Sequence, residues 1–373
     1  MTELFKNFEK YGKKAALVDE MGNSYNYKHI LSKANHINSL IKKKSIILII
    51  ASNSVDSIIG YVSFIKTNNI SILLDKSFKI DFVKKIIKKY KPNYLFGPKN
   101  YFDQIKENSK IFSMNTYDLK KTNFPIYKKI NINNLLLLPT SGTTQSPKFV
   151  RLSKVNLFNN AKNIIKYLKI NSSHTTITTM PMGYSYGLSI INSHLESGSK
   201  IVITSKTIFD REFWKKITKY QVNSFGGVPQ FYEQLKKLKF ENLNLPSLSY
   251  LTQAGGKLDK FFLKYFYKIC KSKNIKFIVM YGQTEAGPRM SYLSWNYFNK
   301  KYESIGKPLE GSKFEIINDK GKHIQKPYVS GELVYYGKNV SLGYANSLKD
   351  LSKGNENKGK LFTGDLGYKD KDN

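Results

Sequence analysis

Between Leu138 and Val150 the chain reads Leu-Pro-Thr-Ser-Gly-Thr-Thr-Gln-Ser-Pro-Lys-Phe-Val. Hydroxyls at Thr140, Ser141, Thr143 and Thr144 surround Gly142, so side-chain and backbone donors can converge on a phosphate, with Lys148 as a mobile cation beside them. A charge-assisted hydrogen bond contributes roughly 1.5–3 kcal/mol, so several together could hold a triphosphate. No Gly-Lys-Ser/Thr closes the run and Pro147 precedes the lysine, which excludes a Walker loop. A plain polar strand-to-helix turn would have the same composition.

A second run, Met280-Tyr-Gly-Gln-Thr-Glu-Ala286, follows an apolar strand. Gly282 turns the chain there, and Tyr281, Thr284 and Glu285 emerge together at the carboxyl end of a sheet, where open α/β folds bind ligands. Tyr281 can stack on a base, Thr284 can bond a phosphate, and Glu285 can hold Mg²⁺. A third, Leu361-Phe-Thr-Gly-Asp-Leu-Gly367, sets the short carboxylate Asp365 between glycines, which an ordinary turn also does.

Elements of alternating type must position these residues. Apolar strands are predicted at 46–50, 71–74, 94–96, 135–138, 200–204, 222–225, 250–253 and 275–281. Between them lie amphipathic helices at 55–66, 211–220 capped by Asp210, 230–238 and 258–270. Ser153 starts another helix, with Phe158, Ala161, Ile164, Ile165 and Leu168 on one face. In the helix around residues 81–90, Phe82, Val83, Ile86, Ile87 and Tyr90 form the inward stripe and lysines the outward one. The fold class is α/β: two stacked doubly wound sheets, mixed or parallel, flanked by helices. After about residue 300, glycines and prolines punctuate short strands (313–317, 331–336) in a small β-rich unit. The expected division is a first α/β subdomain over 1–170, a second over 171–303 that completes the site, and the β-rich subdomain over 304–373.

Taken together and in order, these motifs resemble the adenylate-forming superfamily of acyl- and aryl-CoA synthetases, peptide-synthetase adenylation domains and luciferases. Its phosphate motif runs T-S-G-T-T-G-x-P-K-G; here Gln145 and Phe149 stand where two glycines are usual. Met280–Ala286 matches its Y-G-x-T-E motif and Thr363-Gly364-Asp365 its T-G-D motif, whose aspartate grips the ribose. Ala254-Gly255-Gly256 fits its adenine-side loop, where only glycine allows close backbone approach. Met180–Leu188 aligns with its acid-side motif, with Tyr184 bordering the acyl pocket and Gly227 of Gly226-Gly-Val-Pro229 beside it. Gly255 would serve both acid and nucleotide.

The resemblance implies ATP-dependent activation of a carboxylic acid to an acyl-adenylate, then transfer to CoA or a phosphopantetheine thiol. Thr284, Glu285 and Lys148 would be catalytic, Glu285 through Mg²⁺. Thr140, Ser141, Gly142, Thr143, Thr144, Lys148, Gly255, Gly256, Tyr281, Gly282, Thr284 and Asp365 would bind ATP. Amino-acid-activating members place an aspartate near the acid motif; none stands here, which tilts the expectation to an uncharged-tail acid. Family members continue past T-G-D into a mobile domain, so that domain, or a carrier protein, is the expected partner. A nucleotide-binding partner without turnover is the other reading.

The formal charge of +34 invites a nucleic-acid reading. Only three of the 61 basic residues are arginine, however, the residue preferred for bidentate phosphate and guanine contacts. Nucleic acid is therefore not the expected partner, although the charge should attract ATP. The single cysteine, Cys270, excludes an intramolecular disulfide and reads as buried filler. No apolar segment suits a signal peptide or a membrane span, and a cytoplasmic protein is expected. His29, His36, His174, His194 and His323 show no ligand spacing.

Overall fold

The computed structural model describes residues 3–42, 44–67, 69–105, 108–140 and 148–372. Two large sheets form around parallel strands that are largely buried on both faces. The eight-stranded sheet runs Tyr344–Ala345, Phe149–Leu152, Leu136–Pro139, Ile70–Asp75, Ile46–Ala51, Tyr94–Pro98, Tyr117–Thr122 and Asn108–Ser113. The central four of these (136–139, 70–75, 46–51, 94–98) are parallel, and antiparallel strands close both edges. The nine-stranded sheet runs Lys307–Pro308, Ser291–Tyr292, Lys276–Tyr281, Tyr250–Gln253, Ser224–Gly227, Thr175–Ile177, Lys200–Val202, Ala15–Val18 and Ser24–Asn26, parallel from 276–281 through 15–18.

Burial explains how the sheets stack. Helix Val55–Ile65 is buried at every residue and Ser185–Glu196 at all but one, as expected of helices covered on all sides. They share one core with Ile47, Ile49 and Leu136 of the first sheet and Leu17, Ile201 and Ile203 on the second. Helix Ile80–Tyr90 covers the outer face of the first sheet. Helices Arg211–Lys219, Pro229–Lys237 and Lys260–Ser272 cover the outer face of the second, with Cys270 buried among them. Two stacked sheets in five alternating layers result, and an antiparallel sheet of Lys313–Ile317, Gly331–Tyr336 and Lys360–Gly367 adjoins them. The sheets do not follow the division at 170 and 303: the hairpin 15–26 joins the strands after 171, and 344–345 joins those before 170.

Four local expectations need amending. The run 138–150 joins strand Leu136–Pro139 to an antiparallel partner, Phe149–Leu152, and not directly to a helix. The helix capped by Ser153 buries Leu157, Ala161 and Ile164 with Asn156 and Asn160, while Phe158 and Ile165 are only half-buried. Asp210 precedes its helix, but its carboxylate accepts from Thr207 N and Oγ1 instead of capping it. In helix Ile80–Tyr90, Phe82 is half-exposed and stacks on Phe78 at 4.9 Å. No helix among the described residues is long and apolar enough to cross a membrane.

Candidate active site

Strand Lys276–Tyr281 ends at the carboxyl edge of the nine-stranded sheet, and the backbone turns at once. A Cβ at Gly282 would lie 1.7 Å from the Pro288 carbonyl oxygen, so only glycine lets the two segments cross. The 3₁₀ turn Thr284–Ala286 then presents its side chains. Thr284 Oγ1 lies 3.0 Å from Ser185 Oγ, on the first turn of the buried helix Ser185–Glu196. Glu285 Oε1 accepts from the Tyr344 hydroxyl at 2.9 Å, and its carbonyl accepts from Ser341 N at 2.8 Å.

Asp365 arrives from the small sheet. Its Oδ2 accepts from the Tyr281 hydroxyl at 2.5 Å and from Gln283 Nε2 at 2.9 Å; Nε2 also donates to the Thr363 carbonyl. Thr363-Gly364-Asp365 is a bulge within strand Lys360–Gly367, where the pairing slips between Val334–Phe362 and Glu332–Leu366. A bulge re-aims side chains out of the ladder, which turns Asp365 towards the neighbouring motif. Burial, and then the Asp365 carboxylate, hold the Tyr281 phenol well above its ordinary pKa, so it stays a donor. Burial and the Glu285 charge do the same for Tyr344.

The phosphate-run residues Ser141, Gly142, Thr143 and Thr144 lie outside the described residues, as does Gln145. Thr140 is half-buried at the end of its strand. Lys148 is exposed, with Nζ 3.4 Å from the centre of the Tyr344 ring. Tyr344 thus links Lys148 to Glu285. A buried clasp sets its position: Arg151 donates to the carbonyls of Tyr344, Leu342, Lys353 and Gly354 and pairs with Glu356 Oε2 at 2.6 Å. Phe149 is fully buried edge-on to Tyr90.

On the acid side, Gly255 has φ +80°, and a Cβ there would lie 2.7 Å from the Tyr184 hydroxyl. Gly256 accepts from Gln253 Nε2. Gly227 faces Phe231, whereas Gly226 turns towards Tyr186 Oη and Thr252. Tyr281, Gln283 and Asp365 therefore form one group, Lys148, Tyr344 and Glu285 a second, and Tyr184 with Gly255 a third. A cleft of about 800 Å³ bordered by Lys154, Lys313 and Lys338 contains none of them.

The Glu285 carboxylate forms no ion pair among the described residues, and no group of three metal-ligating side chains occurs there. A single available carboxylate fits Mg²⁺ shared with substrate phosphates better than an all-protein cage.

The profile of the AMP-binding enzyme family matches residues 4–345. The chain belongs to that family. This AMP-binding enzyme is 30% identical over 242 residues to oxalate–CoA ligase of Arabidopsis thaliana, covering 64% of this chain and 46% of the relative. It is 30% identical over 239 residues to 2-succinylbenzoate–CoA ligase of Bacillus cereus, covering 64% and 48%. The chain spans about half the length of the curated relatives it matches. Its fold matches the N-terminal domain of FACL13 from Mycobacterium tuberculosis with TM-score 0.82 at 18% identity, over 100% of this chain and 98% of that one. It also matches o-succinylbenzoate CoA synthetase from Bacillus subtilis, in complex with ATP and magnesium, with TM-score 0.78 at 20% identity over 98% and 77%.

Sequence reasoning missed several residues around the AMP-binding enzyme's motifs. Gln283 occupies the variable position of Y-G-x-T-E, so its type carried no signal. Tyr344 lies in the β-rich unit after residue 300, outside the three motifs. Arg151 and Arg289 were counted among three arginines, and that rarity was the available signal that each has a fixed task. Asn160 and Asn339 both donate to the carbonyls of Ala286 and Arg289, tying the turn after Glu285 in place.

Proposed function

We propose that this AMP-binding enzyme activates a carboxylic acid with ATP. A carboxylate oxygen of the acid bonds to the α-phosphorus, the bond from that phosphorus to the bridging oxygen breaks, and pyrophosphate leaves with that electron pair. The product is an acyl-adenylate, from which a thiol, CoA or a carrier-bound phosphopantetheine, takes the acyl group and releases AMP. Such transfers are accelerated mostly by positioning and charge neutralisation.

In this reading Asp365 and Tyr281 hold the ribose and base, with Gly255, Gly256 and Gly282 allowing close approach. Thr284 and Lys148 attend the phosphates with Thr140, Ser141, Gly142, Thr143 and Thr144. Tyr184 borders the acid, and Gly227 contributes through its backbone. Glu285 would hold Mg²⁺, which when bound neutralises phosphate charge.

The observation that carries the proposal is the convergence of Asp365, from the small sheet, on Tyr281 and Gln283 at the carboxyl end of the large one. The relatives' names support the reaction class of acid and CoA, and both oxalate and 2-succinylbenzoate carry two carboxyl groups. Calorimetry with ATP, with and without Mg²⁺, should show Mg²⁺-dependent binding, and an acid panel should release pyrophosphate. Nucleotide binding with no acid accepted would favour a partner subunit without turnover, and no nucleotide binding would sink both readings.

A further inference from the structure

One buried charge has no part in the nucleotide site proposed above. Arg289 follows the Y-G-x-T-E turn and is only 2% exposed, yet it takes part in no ion pair among the described residues. Its Nε–H has no hydrogen-bond partner among the described residues. By contrast, the other buried arginine, Arg151, satisfies its guanidinium with four carbonyls and a carboxylate. A buried charge without a counter-charge is costly to keep and is ordinarily paired.

The surroundings of Arg289 belong to the acid side. Its Cζ lies 4.0 Å from the centre of the Tyr186 ring, a cation–π contact that offsets part of the desolvation. Tyr184, which opens the same helix and abuts Gly255, has its phenol raised by burial and drawn back by the Arg289 charge. The backbone is fixed: the Arg289 carbonyl accepts from Asn160 Nδ2 at 3.1 Å and Asn339 Nδ2 at 2.8 Å. A rigidly held, incompletely bonded guanidinium among tyrosines matches a planar anion, which it can meet with paired charge-assisted hydrogen bonds.

Resting on the adenylation reading, we infer that the acid carries a second carboxylate at its far end and that Arg289 receives it within the Tyr184–Tyr186 cluster. This replaces the expectation of an uncharged tail. That expectation rested on the lack of an aspartate for an ammonium group, and the lack of an aspartate is equally compatible with an anionic tail.

The test is calorimetry of matched acids, succinate against butanoate and phthalate against benzoate, on the whole chain with Mg²⁺ and a non-hydrolysable ATP analogue. Each diacid should bind at least about tenfold more tightly than its monoacid, the size of one net charge-assisted bond. Arg289→Gln should erase that ratio and Arg289→Lys retain part of it, with analogue affinity unchanged in both. Equal binding of the paired acids by the parent chain, no acid binding at all, or a ratio surviving in Arg289→Gln would overturn the inference. The parent comparison needs no variant to fold. Failure of the analogue itself to bind would instead count against the adenylation reading, so the two failures are told apart.

Discussion

The Tyr344 hydroxyl donates to Glu285 Oε1 at 2.9 Å while the ring of the same tyrosine lies 3.4 Å from Lys148 Nζ. One side chain thus orients both the carboxylate proposed for Mg²⁺ and the lysine proposed for the phosphates. Tyr344→Phe keeps the ring and removes only the orienting hydrogen bond. It should weaken Mg²⁺-dependent ATP binding about tenfold, as loss of an outer hydrogen-bond partner of a metal ligand does. Tyr344→Ala removes both contacts and should weaken it further. Calorimetry at fixed Mg²⁺ checks this, and equal affinities for parent and Tyr344→Phe would remove Tyr344 from the site.

The Arg151 clasp should matter for stability out of proportion to its ion pair. Its side chain is fully buried, whereas that of Glu356 is 47% exposed. Arg151→Met strands the carbonyls of Leu342, Tyr344, Lys353 and Gly354 and should cost about 3–5 kcal/mol in urea unfolding. Glu356→Gln keeps an oxygen for Arg151 to bond and removes only the counter-charge, so it should cost less, about 1–2 kcal/mol. Similar losses for the two would mean that the ion pair, not the carbonyl bonds, dominates.

Phe149 stands where the related motif has glycine, and restoring the glycine should do harm. The ring is fully buried edge-on to Tyr90, with centroids 5.3 Å apart. Phe149→Gly opens a cavity in the outer core and should lower stability by about 3–5 kcal/mol without raising ATP affinity. A melting curve and a nucleotide titration on the same sample decide it.

Helix Ser185–Glu196 carries two buried groups of opposite pH sense. Burial raises Glu196 from its ordinary 4.5 to about 7, and lowers His194 from 6.5 to about 4. Between pH 4.5 and 7 the folded chain holds the Glu196 proton more tightly than the unfolded chain, so this group's contribution to stability falls as pH rises. His194 works the other way: its contribution rises between pH 4 and 6.5. Glu196→Gln should therefore gain stability over the parent progressively from pH 4.5 to 7, by on the order of 3 kcal/mol in all. Urea unfolding across that range measures the difference, and a constant offset would refute the shift.

What the sequence made legible follows from periodicity. Ile46–Ala51 is an apolar run and Lys276–Tyr281 is one after its first residue, and both stand where their patterns put them. Phe149–Leu152 was missed because a buried strand with a central arginine breaks the apolar rule, and only distant partners, the carbonyls at 342–354 and Glu356, make Arg151 acceptable inside. The helix after Ser153 appeared rotated for the same reason: Asn156 faces inward because it donates to the carbonyls of Lys338 and Val340. At the site, Tyr281, Thr284 and Glu285 could be read from one short run. Asp365 could be read from its motif but not its bulge, and Arg289 only from the rarity of arginine, since no local pattern signals a buried charge outside an ion pair.

The sheet order also bears on how the chain is made. Strand Ala15–Val18 pairs with Lys200–Val202, and Phe149–Val150 pairs with Tyr344–Ala345. At a synthesis rate of about 5–20 residues per second, the first of these strands waits roughly ten to forty seconds for its partner to leave the ribosome. Helix Tyr27–Ser39 is covered sooner, by helix Val55–Ile65, whose Ser63 hydroxyl donates to the Ala34 carbonyl. The nascent chain therefore carries an unpaired strand edge until residue 202 has emerged. It becomes self-contained only when the 200–202 strand emerges, and the first sheet gains its last edge strand only once Tyr344 and Ala345 have followed.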